Sequence, residues 1–265
     1  MKKLSFLLTM IMTLVLLQTG AMAGALDTIQ KRGVLRVGLE PGYMPFELTS
    51  KKGEIIGFDV DMAKQMARAM GVKLELVSTA WDGIIASLIT KKFDIIMSGM
   101  TLTQERNLGI NFATPYITIG QSILVHKKFE GQVLSYKDLN RPEFTVGSKL
   151  GTTGEQATKR MIGKAKYISY ETEQEAVLEL VNGKIDAFIY DLPFNVVAYG
   201  QKGAGKIYHI DEPFTAEPLA WGVRKGDFDF INWLNNFLHQ QRIDGNYDKI
   251  YKKWFLDDTW MKEIQ

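Results

Sequence analysis

Between Val34 and Asp191 the chain alternates short extended apolar runs with helical stripes, a pattern that few architectures accept. Val34–Glu40 alternates as a strand. Asp59–Met70 then places Val60, Met62, Ala63, Met66, Ala67 and Met70 on one helical face, which Gly71 closes. These methionines are expected to face a core rather than to form a binding surface. Lys73–Val77 reads as a strand, Trp81–Thr90 as a helix with Ile84, Ile85 and Leu88 on one side, and Phe93–Ser98 as a strand again. Such alternation predicts an α/β fold with a mainly parallel sheet covered on both faces.

The pattern breaks at Phe112-Ala-Thr-Pro-Tyr116, and a second set of α/β elements follows. Gln121–His126 is extended, and Leu134–Leu139 opens the new set. Strand Thr145–Ser148 leads through Gly151-Thr-Thr-Gly154 into a helix ending at Ile162. Strand Tyr167–Tyr170, helix Glu173–Asn182 and strand Asp186–Tyr190 complete it. Gln201–Gly205 is a loop, and Leu219–Arg224 is extended once more. Phe228–Phe255 reads as two helices split near Asp244-Gly245, whose aromatic residues recur at helical spacing and therefore pack.

Asp94–Arg106 carries the most chemistry. A buried strand ends in Ser98-Gly99-Met100-Thr101, and Thr103-x-x-Arg106 opens a helix. Helix starts leave backbone N–H groups free. Together with the Ser98 and Thr101 hydroxyls and the Arg106 guanidinium they suit a carboxylate, which arginine grips with two parallel hydrogen bonds. The alternative is a surface arginine after a capped turn.

At the other extreme of the sequence, Met1-Lys-Lys, the apolar run Leu4–Leu17 and Ala21-Met-Ala23 form a secretory signal peptide, with cleavage expected after Ala23. The formal charge would then fall from +2 to zero, because Lys2 and Lys3 leave and no acid goes with them. A neutral chain argues against a nucleic-acid partner. Cysteine is absent, so there is no disulfide, no thiolate metal site and no lipid-attachment cysteine. The expected address is the bacterial periplasm.

Seven ordered motifs carry a resemblance. They are Gly42-Tyr-x-Pro-Phe-Glu47, Gly57-Phe-Asp-Val-Asp61, Trp81-Asp-Gly-Ile-Ile85, Asp94–Arg106, Phe112-Ala-x-Pro-Tyr116, Lys149-x-Gly-Thr-Thr153 and Asp186-Ala-x-x-x-Asp191. One alone is weak; the ordered set resembles the polar amino-acid-binding proteins, the family-three solute receptors of ABC importers. The resemblance implies the type II periplasmic-binding-protein fold, with two α/β lobes joined by two crossover strands and the ligand between them. Lobe 1 would comprise 24–115 plus 219–265 and lobe 2 121–214, with hinges near 116–120 and 215–218. A monomer without cofactor or metal is implied, whose partners are a free amino acid and the importer's membrane subunits.

The resemblance also assigns roles. Arg106 takes the ligand carboxylate, Ser98, Gly99 and Thr101 surround the ligand backbone, and Thr153 adds a contact from lobe 2. Asp191 takes the ammonium, although an aspartate at a strand-to-helix junction commonly caps the helix. Tyr43 and Trp81 flank the ligand side chain, unless either merely packs. Glu40, Lys149 and Tyr190 stand around the side-chain pocket. An acceptor at Glu40 and a donor at Lys149 together suit a carboxamide, so glutamine or another polar neutral ligand is expected, with a basic amino acid second. The rival reading is a periplasmic dehydratase of the cyclohexadienyl or prephenate type on the same fold, with Glu40 as proton donor. No nucleophile–base constellation is present, and His126, His209 and His239 are isolated, so no catalytic residue is expected.

Overall fold

The computed structural model describes residues 24–203 and 205–264. The expected signal peptide, 1–23, lies outside the described residues. Two five-stranded sheets each carry their own helices. In the first, the strands run in the order Lys73–Ser78, Val34–Leu39, Ile95–Ile96, Gly222–Val223, Asn111–Phe112. Its first three strands are parallel and the last two antiparallel to their neighbours. In the second the order is Lys166–Tyr170, Thr145–Lys149, Ala187–Asp191, Gln121–His126, Ile207–Ile210. Again three parallel strands are joined by two antiparallel ones.

The chain crosses between the sheets through an antiparallel ribbon. Ile117–Ile119 pairs with Glu217–Leu219, with Glu217 opposite Ile119. Extended backbone at the crossing explains why no glycine- or serine-rich linker marks it in the sequence. A second small ribbon pairs Leu48–Thr49 with Ile55–Ile56.

The apolar stripe over Phe58–Met70 behaves as its period demands. Phe58, Val60, Met62, Ala63 and Met66 are fully buried, and Gly71 ends the helix in the left-handed region at φ 68°. The carboxy-terminal helices Phe228–Ile243 and Asn246–Tyr251 return to this first lobe. Their aromatic residues join Phe58, Tyr116 and Trp221; Phe58 stacks on Tyr116 at 5.7 Å between centroids and Tyr116 on Trp221 at 5.4 Å. Full burial of each such side chain stabilises the fold by roughly 1.5–3 kcal/mol.

Several elements differ from the periodicity reading. Phe93–Ser98 narrows to a two-residue strand, Ile95–Ile96, because Ser98 and Gly99 already turn toward the crevice between the lobes. Trp81–Gly83 forms a 3-10 turn before the short helix Ile84–Ile89. Leu134–Leu139 folds as turns. The helix Leu192–Lys202, whose bounds the periodicity reading did not give, follows the strand-to-helix junction at Asp191; Pro193 lies in its first turn, where a missing N–H costs nothing.

Candidate functional site

Every residue singled out from the sequence except Lys149 lines one cavity of about 20 Å³ between the lobes, with Glu47 and Thr152 added. The strand-turn-helix of the first lobe supplies one wall. Thr103 caps the helix Gln104–Gly109, its hydroxyl accepting from Arg106 N at 3.1 Å. Arg106 folds back so that Nη1 donates to Thr101 O at 2.9 Å, and Nη2 donates across the cleft to Gly151 O at 3.1 Å. Its guanidinium lies 5.2 Å from the Trp81 ring centre, a cation–π contact. Trp81 Nε1 also donates to Gly151 O, at 3.0 Å. The positive charge thus faces the cavity with its orientation fixed from both lobes.

Gly99 sits between this wall and Tyr43. Its φ is +51°, and a Cβ there would lie 2.1 Å from the Tyr43 ring. Only glycine permits that approach. Gly99 N donates to Asp59 Oδ2 at 2.9 Å, which also accepts from the Tyr116 hydroxyl at 2.9 Å. The Ser98 hydroxyl donates to Glu47 and accepts from Glu40 N at 3.1 Å. Burial pushes Glu47 well above the usual carboxylate range, and the neighbouring Asp59 charge adds to it. Asp59 is itself pushed up to about 6 by burial.

Asp191 faces Arg106 from the second lobe. It occupies the N-cap position of Leu192–Lys202, yet its side chain makes no capping hydrogen bond. The carboxylate turns to the cleft instead, where it accepts from the Tyr43 hydroxyl and the Gln121 amide. Asp191 is only 7% exposed. Burial and the Glu217 charge push its pKa up to about 7, against the pull of Tyr43, Gln121 and Arg106. Burial likewise depresses Arg106, opposed by Asp191, Glu217 and Glu105, but a guanidinium stays charged.

The profile of the bacterial extracellular solute-binding proteins, family 3, matches residues 35–257. The chain belongs to that family. A binding component of an ABC transporter from Wolinella succinogenes, solved in complex with lysine, is 58% identical over 87% of this chain and 99% of its own, with a TM-score of 0.84. A reconstructed ancestral amino-acid-binding protein, described as a precursor of cyclohexadienyl dehydratase, is 46% identical over 88% and 100% of the two chains, with a TM-score of 0.81. Among curated relatives, the L-cystine-binding protein TcyJ of Escherichia coli is 31% identical over 89% of this chain and 88% of its own.

The two lobes and their crossover ribbon are therefore the type II periplasmic-binding-protein fold, and this family 3 protein is a solute-binding protein rather than an enzyme. Among the described residues, no helix is long and apolar enough to cross a membrane, and no cluster of side chains is arranged to hold a metal ion.

Lys149 departs from its expected place. It is 2% exposed and sits behind the cavity wall, its ammonium bonded to Glu40 and, at 2.7 Å, to Glu173. Burial acts to lower its pKa, but Glu173 and Glu40 outweigh that and raise it. Burial raises Glu40, with Lys149 pulling the other way. Tyr190 is packed edge-on to Tyr43 at 5.6 Å. Tyr43 itself stacks on Phe46 while its hydroxyl reaches Asp191, so it both packs and faces the cavity.

Three residues of the site were not singled out from the sequence. Glu47 is a motif residue whose burial was not foreseen. Glu173 lies far from Glu40 in sequence, and Glu217 sits on a crossover strand; only folding brings them to the cleft. Glu217 Oε2 accepts from Thr101 Oγ1 at 3.1 Å and from Thr153 Oγ1.

Proposed function

We propose that this receptor captures a free L-amino acid with a cationic side chain, L-lysine foremost, and presents it to the membrane subunits of an ABC importer from the periplasmic side. One observation carries the reading: Arg106 and Asp191 face the same small cavity from opposite lobes. An α-amino acid has a carboxylate for the first and an ammonium for the second. Its two charges are satisfied together only when the lobes close, so binding shifts an open form toward a closed one by differential affinity. Ser98, Gly99, Thr101 and Thr153 surround the ligand backbone, and Tyr43, Trp81 and Tyr190 flank its side chain. The receptor acts as a monomer, without cofactor or nucleic acid.

The side-chain class follows from Lys149. The expectation of glutamine needed that lysine as a free donor. Its ammonium is instead held by two carboxylates, Glu40 and Glu173. Two acids against one base leave an excess negative charge, and one of those acids, Glu40, lines the cavity. Acceptors without a free donor favour a cation over a carboxamide. The lysine held by the 58% identical neighbour supports the same class. Glutamine remains the second choice.

Calorimetry on refolded protein, with L-lysine, L-arginine and L-glutamine titrated side by side, tests the reading. Lysine or arginine is expected to bind more tightly than glutamine. Tighter glutamine binding would show that Lys149 does serve as a donor to the ligand, and would overturn the cationic assignment.

A further inference from the structure

We propose that Glu217 is a resident carboxylate that occupies hydroxyl donors of the ligand-carboxylate subsite, so that an amino acid binds by taking those donors from it. The inference rests on the reading above, in which Arg106 marks where the ligand carboxylate sits.

Glu217 is 6% exposed and lies on the second crossover strand. Three hydroxyls converge on it. Thr101 Oγ1, from the first lobe, donates to Oε2 at 3.1 Å, and Thr153 Oγ1, at the start of a second-lobe helix, donates to the same oxygen. Thr215 Oγ1 donates to Oε1 at 2.9 Å. A threonine hydroxyl has one proton. The Thr153 oxygen already accepts from the Gln121 amide at 3.4 Å, and the Thr215 oxygen from Gln121 N at 2.8 Å. The Thr101 and Thr153 oxygens also lie 3.3 Å from each other, and a proton given to Glu217 is not at the same time available to a ligand.

Thr101 and Thr153 both line the cavity beside Arg106, whereas Thr215 and Glu217 do not. A ligand carboxylate gripped by Arg106 meets these two hydroxyls from the cavity side, and it offers them the same acceptor chemistry as Glu217. Turning toward it strips Glu217 of two of its three hydroxyl partners. The exchange weakens net affinity, and it links arrival of the ligand to the strand that joins the lobes. Release to an importer gains from both.

The test is binding of L-lysine to Glu217→Gln. A glutamine side chain can donate to the threonine oxygens, and it carries no charge to compete for their protons. Affinity is expected to rise by at least about fivefold, the worth of one ordinary hydrogen bond. Thr153→Val should then cost more affinity in the Glu217→Gln background than in the parent, because only there is the hydroxyl free to serve the ligand. Equal or weaker lysine binding by Glu217→Gln, or an equal cost of Thr153→Val in both backgrounds, overturns the inference and leaves Glu217 a structural brace. If the glutamine variant does not fold by circular dichroism, Glu217→Asp replaces it. Its shorter carboxylate cannot span both lobes' hydroxyls, and it too should bind more tightly; unchanged or weaker binding overturns the idea. A parent protein that binds none of lysine, arginine and glutamine overturns the functional reading itself, which separates the two failures.

Discussion

In the proposed function, Arg106 and Asp191 set the energetics of ligand capture. Removing one partner of a desolvated charge pair costs about 2–5 kcal/mol, so Arg106→Ala is expected to weaken L-lysine binding by at least about thirtyfold. Calorimetry giving an affinity within threefold of the parent would remove Arg106 from the carboxylate role. Asp191 makes binding depend on pH. With its pKa at about 7 in the folded protein, the carboxyl is protonated below that value, whereas an ammonium needs it ionised. Ligand binding therefore releases a proton, and affinity should fall toward tenfold per pH unit as pH drops below about 7. Asp191→Asn should bind weakly and lose that slope. The same raised value has a second sign. Between about pH 4 and 7 the folded protein retains a proton that the unfolded chain has given up, so this group makes stability fall as pH rises through that window. The carboxylate role of Arg106 was legible as a possibility from residue order, because strand, hydroxyls and helix start are local. The tie of Lys149 to Glu40 and Glu173 was not, since those three positions span more than a hundred residues.

The strand-turn-helix over residues 95–109 is the element on which the site depends. Its Gly99 is fixed by two constraints at once, a left-handed φ and the Tyr43 ring. Gly99→Ala should destabilise the protein by about 1–3 kcal/mol, the usual cost of overpacking a close contact. It should also weaken ligand binding, because Tyr43 must move and its hydroxyl holds Asp191. A thermal melt together with a lysine titration checks both; a parent-like result in each would show that the turn relaxes freely. Element existence was mostly readable where the apolar period runs long, as in Phe58–Met70. The extent of Leu192–Lys202 was not readable, because its buried residues Phe194, Asn195, Val197 and Ala198 do not form a long apolar stripe. Ile95–Ile96 shows the opposite error: the apolar run outlasts the strand, because Ser98 and Gly99 serve the cleft.

For the molecule as a whole, the lobes meet through polar contacts around the cleft and through the packing of Tyr43 against Tyr190. Gln174 Nε2 donates to Gly42 O at 2.7 Å, Trp81 and Arg106 reach Gly151 O, and Lys149 reaches Glu40. Polar contacts can break and reform with water, so the proposed closure would pivot about the crossover ribbon. Small-angle scattering should show the radius of gyration falling when L-lysine is added, and Arg106→Ala should abolish the change. An unchanged radius in the parent would mean that ligand does not drive closure. The sequence alone determined the α/β class, the strand-to-helix turn bearing Arg106 and the ordered motifs of the family, because each is written in residues close together along the chain. Only the tertiary structure decided that Asp191 turns away from its helix, that Lys149 is consumed by two acids, and that Glu217 meets hydroxyls from both lobes. Those outcomes depend on which distant groups share a desolvated space, and local order along the chain carries no record of that.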